Sequence, residues 1–116
     1  MSYPSINQIT LEEYQDRLKV IQQDFPVFGT DKSLMSYALG LSGEVGEVSE
    51  ILKRYFREGK EPDLDNLKKE LGDVVAYVCL LCSYYGINFE DVLLGNIQKL
   101  EERKMRGTLH GNGSDR

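Results

Sequence analysis

Two short acidic motifs carry the chemistry of this chain. Glu44-x-x-Glu47 and Glu70-x-x-Asp73 each place two carboxylates three residues apart. On a helix, residues three apart differ by only about 60° around the axis, so each pair projects side by side. Four carboxylates gathered in a half-buried place repel one another, and taking even one charge out of water is costly unless it is paired or bound to metal. A hard cation answers that problem, because Mg²⁺ takes oxygen ligands, keeps waters and shares its sphere with substrate phosphates. The plainer reading is two solvated helix faces pairing with Lys53, Lys68 or Lys69. Against it, both pairs border an apolar stripe and neither has a lysine in its own column. Glu44 and Glu47 stand between Tyr37 and Ile51, while Glu70 and Asp73 are followed by Tyr77 and Tyr84.

A complementary charge lies further along. Asn96, Lys99, Arg103 and Arg106 recur at three-four spacing beside the apolar Leu93, Ile97 and Leu100. Such cations can hold phosphate oxygens that a metal does not reach. The same residues also serve as surface cations that complement the C-terminal end of a helix dipole. Cys79 and Cys82 have C-x-x-C spacing but sit deep in an apolar helical run, which reads as core packing. A di-iron carboxylate bundle wants Glu-x-x-His pairs, and the one histidine is His110 near the C-terminal end.

Four helices must position these groups. The first opens at Thr10, with Glu13 completing a capping box, and runs to about Asp24, where "FPVFGT" breaks it. The second starts near Asp31 or Ser33 and ends at Gly59 with Pro62 beyond. Asp63 caps the third, which runs to Gly86; Asn88 caps the fourth, which fades near Arg106. The short "GKEPD" link favours antiparallel neighbours, so the two acidic pairs can converge. Leu34, Ala38, Leu41, Val45, Val48, Leu52 and Tyr55 form one expected core stripe; Leu67, Leu71, Val74, Val78, Leu81 and Tyr85 form another. Gly72, Ala76, Cys79 and Ser83 make a column of small residues that lets a further helix, of this chain or of another subunit, approach closely. No strand pattern competes, so the expected fold is an all-α antiparallel bundle of about four helices. Residues 1–106 form one domain and 107–116 a tail or a loop that orders on ligand.

A chain of 116 residues supplies only a modest core, which points to a homodimer or homotetramer with the active site assembled in the oligomer. A net charge of −5 argues against a nucleic-acid polymer as partner, since backbone phosphates need a basic footprint. No apolar run reaches bilayer length, so no membrane partner is expected, and "MSYPSINQIT" lacks the pattern of a signal peptide. The expected location is the cytoplasm.

The ordered set "GLSGEVGEVSEILK", "ELGDVVAYV" and "NIQKLEERK" resembles the MazG-like all-α nucleoside triphosphate pyrophosphohydrolases, a superfamily that includes dimeric dUTPases and dCTP pyrophosphatases. The resemblance covers most of the chain. It implies Mg²⁺-dependent cleavage of a (deoxy)nucleoside triphosphate to the monophosphate and pyrophosphate, with Mn²⁺ as a substitute metal. It assigns metal ligation to Glu44, Glu47, Glu70 and Asp73, with Glu47 as the candidate general base. It also assigns nucleotide contact to Tyr77, and phosphate contact to Asn96, Lys99 and Arg103. Many members read E-E-x-x-E; Gly43 stands here at the first glutamate, which leaves a second-metal ligand set open. Asp115 and Arg116 resemble a closing loop of some members. Phe25, Phe28, Tyr14 and Tyr77 are candidates for stacking on a base, with core packing as the ordinary alternative.

The alternative in a different class is a non-catalytic helical scaffold, for interaction or metal binding, on the same bundle. One oddity bears on both readings. Gly40, Gly43 and Gly46 each cost a helix roughly 0.8–1 kcal/mol relative to alanine, which is explained if they thin one side of the second helix so that another group can come close.

Overall fold

The computed structural model describes residues 5–110. The chain forms α1 (Leu11–Gln23), α2 (Asp31–Glu58), α3 (Leu64–Tyr84) and α4 (Phe89–His110), with no strand among the described residues. The fold is all-α.

Local chemistry sets the helix ends. The Thr10 hydroxyl accepts from the Glu13 N–H at 3.0 Å, and Glu13 accepts from the Thr10 N–H at 3.1 Å, a complete capping box. Thr30 occupies the N-cap position of α2, and Gly59 ends that helix in the left-handed region at φ 68°, donating to the Tyr55 carbonyl. Asp63 accepts from the N–H groups of Asp65 and Asn66, and Asn88 from those of Glu90 and Asp91. Beyond Arg106, where the sequence pattern thins, α4 continues to His110. Asp115 and Arg116 lie outside the described residues.

α3 is the central element, touching each of the other three helices, while α1 and α2 make no contact with each other. α1 lies on the small-residue column of α3. There Cys79 and Cys82 are buried with Phe89, and Leu11, Tyr14 and Leu18 pack over them. The column thus receives a helix of its own chain at Cys79 and Ser83. At its other end, no described residue comes within 4 Å of where a β-carbon on Gly72 would stand. Burial pushes the Cys79 thiol up to about 11, with the neighbouring Cys82 adding to the effect, so Cys79 stays a neutral packing group.

The turn from α3 into α4 bends by 111°. Gln15 of α1 clamps it, donating to the Ser83 hydroxyl at 3.1 Å and the Ile87 carbonyl at 2.9 Å, and accepting from the Phe89 N–H at 2.9 Å. Past Phe89, the first half of α4 is exposed on all sides.

One expectation about packing changes. The buried residues of α2 are Ser33 and Tyr37, whereas Ala38, Val45 and Leu52 of the expected core stripe stay exposed. On α3, Leu71 and Tyr85 are exposed as well. α2 turns its polar and small residues inward, toward the space between itself and α1, and leaves half of its apolar stripe outside. No single helix is long and apolar enough to cross a membrane.

Candidate metal centre and adjoining cleft

Glu70 and Asp73 stand on adjacent turns of α3, and α2 runs alongside, bringing Glu44 to them. One carboxylate oxygen from each of the three lies within 4.8 Å of the others. Glu47, one turn along α2, is exposed and outside this group of three, although its charge still acts on Glu44.

The crowding of like charges weighs most on Glu44. Its Oε2 is enclosed and has no hydrogen-bond partner. Its pKa is raised to about 7, first by a proton shared with Glu70, then by loss of solvent, then by the charges of Glu70, Asp73 and Glu47. Two carboxylates have no donor between them unless one holds a proton, so the pair is comfortable only when protonated or when a cation replaces the proton. An orphaned acceptor beside two further carboxylates, all oxygen donors, fits a hard divalent ion. Lys53, Lys68 and Lys69, which a solvated-face reading would pair with these acids, make no ion pair among the described residues.

Two members of the cluster, Glu44 and Asp73, line a cavity of about 470 Å³. The cavity exists because α1 and α2 stay apart above α3. Its walls come from Leu18 and Gln22 of α1, Phe25 and Phe28 of the connecting loop, Tyr37 and Glu44 of α2, and Asp73 and Tyr77 of α3. One end is anionic and the rest is aromatic and aliphatic, the form of a site for a flat ring joined to a metal-chelated anion.

Tyr77 is seated by Gly40. A β-carbon at Gly40 would collide with the Tyr77 ring atoms Cε1 and Cζ, whereas Gly43 and Gly46 face open space within the chain. Of the three glycines, only Gly40 admits a close neighbour from the same chain.

Of the other residues singled out in the sequence, Phe25 and Phe28 line the cavity, and Tyr14 instead packs on Phe89 with ring centroids 6.1 Å apart. Asn96, Lys99 and Arg103 are not among the cavity walls of their own chain. Asn96 and Lys99 are exposed, and Arg103 is half-buried with its Nε enclosed and unpartnered. Gln22 and Ser36 line the cavity and have no motif to announce them. A weak signal for Ser36 is its place two turns before Glu44, among small and polar residues in an otherwise apolar stretch.

A search of solved structures gives no significant match. The chain is 36% identical over 87 residues to the Gene 37 protein of Mycobacterium phage L5, covering 71% of this chain and 76% of that protein. The model of the MazG nucleotide pyrophosphohydrolase domain matches residues 30–107, a span that contains both acidic motifs and the α4 column. With α2, α3 and most of α4 inside that match, the chain belongs to the MazG nucleotide pyrophosphohydrolase domain family.

Proposed function

We propose that this protein hydrolyses a (deoxy)nucleoside triphosphate to the monophosphate and pyrophosphate in a Mg²⁺-dependent reaction, with Mn²⁺ able to substitute. The observation that carries the reading is the convergence of Glu44, Glu70 and Asp73 at the end of an aromatic cavity, with one enclosed carboxylate oxygen left unpartnered.

Glu44, Glu70 and Asp73 hold the cation, and Glu47 completes the acidic set from the next turn. When bound, the divalent ion supplies charge neutralisation of the phosphates and activation of water. Phe25, Phe28 and Tyr77 hold the base by stacking and exclude water from it. Glu47, exposed and outside the group of three that holds the cation, is the carboxylate left to take a proton from the attacking water. Asn96, Lys99 and Arg103 bind the phosphates. Because these three do not line the cavity of their own chain, the reading places them at the site in a homodimer or homotetramer.

The test is a panel of ribo- and deoxyribonucleoside triphosphates incubated with the protein and Mg²⁺, with products separated by ion-exchange chromatography. Equal amounts of monophosphate and pyrophosphate, abolished by EDTA and restored by Mg²⁺ or Mn²⁺, are expected. Release of inorganic phosphate and diphosphate instead would move the cleavage point, and no product from any nucleotide would leave a non-catalytic scaffold.

A further inference from the structure

A second cavity, of about 430 Å³, adjoins the one that Glu44 and Asp73 border, and Phe28, Ser33, Tyr37 and Leu80 line both. Glu44 and Asp73 belong to the first only; Lys19, Ser83 and Tyr84 belong to the second only. On α2, Tyr37 is seven residues before Glu44, and on α3, Ser83 is ten after Asp73. At about 1.5 Å per residue these are separations of about 10 and 15 Å. The second cavity therefore lies beyond the first, on the side away from the acids.

Its hydrogen bonds decide what it can offer a ligand. The Ser33 hydroxyl donates to the Thr30 carbonyl at 2.7 Å, and the Tyr84 hydroxyl to Asp31 at 3.3 Å, so both have spent their hydrogens. The Ser83 hydroxyl accepts from Gln15, which leaves its own hydrogen to give. Lys19 is the one charged group among the described residues on these walls, and it makes no ion pair among them. An ammonium has three hydrogens and no lone pair. Hydrogen bonds from a charged donor are roughly twice as strong as those between neutral groups, so Lys19 outweighs the lone pairs left on Ser33 and Tyr84. The second cavity suits a hydrogen-bond acceptor such as a carbonyl oxygen.

We propose that Lys19 selects nucleotides whose base carries a carbonyl at position 4 of a pyrimidine or position 6 of a purine, over those with an amino group there. The inference rests on the nucleotide reading above and adds the class of base to it. With the phosphates at the acids, the base lies against Phe28, and its far edge passes Tyr37 and Leu80 to face the second cavity. About ten bonds separate the α-phosphorus from that exocyclic atom, a reach of roughly 10 Å once the bends are counted. An amino group there would meet a cation that cannot accept its hydrogens, and both donors would be left unpaired.

The test is kcat/KM on two matched pairs, dUTP against dCTP and deoxyinosine triphosphate against dATP. Wild type is expected to favour the carbonyl member of each pair by roughly ten- to hundredfold, the worth of one hydrogen bond to a charged group. Lys19→Met is expected to bring both ratios near unity, Lys19→Arg to keep them, and Lys19→Glu to turn them toward the amino member. Lys19 is exposed on α1, so each variant should keep the wild-type circular dichroism spectrum. Ratios unmoved in Lys19→Met, an equal loss on all four nucleotides, or a wild type that favours the amino member would overturn the inference and leave hydrolysis standing. If no nucleotide is turned over, the hydrolase reading fails, and calorimetric binding of dUTP and dCTP with Mg²⁺ decides the inference separately. A preference for dUTP that Lys19→Met abolishes would support it; equal binding of the two by wild type would overturn it.

Discussion

The Tyr77 ring lies against the backbone of Gly40, in the space a β-carbon would occupy. One glycine in α2 thereby fixes how an aromatic wall of the cavity is seated from α3. The colliding atoms, Cε1, Cζ and Cδ1, run along one edge of the ring, with the tightest approach toward its far end. An added methyl is therefore relieved by swinging the ring and not by parting the helices.

Gly40→Ala is predicted to leave stability within about 1 kcal/mol of wild type, because the gain in helix propensity offsets the strain of displacing the ring. Its effect falls on the cavity, as a severalfold rise in KM for the nucleotide. Gly46→Ala meets no neighbour within the chain and is predicted to stabilise by roughly 0.5–1 kcal/mol. Thermal unfolding and steady-state kinetics on the pair separate the two effects; equal behaviour of the two variants would count against the seating role.

The acidic cluster makes opposite predictions for the metal-free and metal-bound protein. Glu70→Gln or Asp73→Asn removes a like charge from beside Glu44, so each variant should unfold at a higher temperature than wild type in EDTA. Each should also lose most of the upward shift that Mg²⁺ gives wild type, because binding to the native state stabilises by mass action. Turnover is expected to fall by about two orders of magnitude or more, the equivalent of roughly 3 kcal/mol in the barrier. Differential scanning fluorimetry with and without Mg²⁺ reads the first two effects, and a variant that keeps the full metal-induced shift would remove that residue from the ligand set.

The helix ends were readable because Thr10, Asp63, Asn88 and Gly59 act on backbone groups within a few residues of themselves. The acidic pairs were readable for the same reason, since i,i+3 neighbours share a face whatever the tertiary structure does. The meeting of Glu44 with Glu70 and Asp73, and the place of Glu47 outside that group, depend on the register of α2 against α3, which no local rule sets. The face of α2 turned toward α3 is not legible in the sequence, because an apolar stripe reports that something covers it, not that the same chain does. Ser33 and Tyr37 are buried in place of Ala38 and Val45 because the inward side also has to border the cavity. Gln22 and Ser36 have no motif to announce them, since their place in the cavity wall comes from a space left between α1 and α2.

The Glu44 pKa gives the site a pH signature. A carboxyl at about 7 in the folded state, against an ordinary value near 4.5 when unfolded, binds more protons folded than unfolded between those two pH values. Stability of the metal-free protein should therefore be highest below about pH 4.5 as far as this group is concerned, fall as pH rises through 7, and level off above. Metal competes with the same proton, so affinity for Mg²⁺ or Mn²⁺ should climb by up to tenfold per pH unit below 7 and flatten above it. Calorimetric titration in buffers of different ionisation enthalpy is expected to detect proton release at about pH 6 and almost none above about pH 8. Proton release of the same size at both pH values would sink the assignment.

Gln15 makes the last prediction, one that concerns architecture and not chemistry. Its single side chain satisfies the Ile87 carbonyl, the Ser83 hydroxyl and the Phe89 N–H at the turn that sends α4 away from α3. Gln15→Ala leaves these groups to find water at a partly buried corner, which costs about 1–3 kcal/mol. Gln15→Glu keeps the acceptor for the Phe89 N–H and loses the donor, so the Ile87 carbonyl loses its partner while the Ser83 hydroxyl turns to donate to the carboxylate and the start of α4 keeps its cap. Hydrogen exchange should then accelerate at residues 87–92 in Gln15→Ala, and less so in Gln15→Glu, with the middle of α2 unchanged in both. Acceleration spread evenly over all four helices would mean that the side chain contributes global stability and does not set the direction of α4.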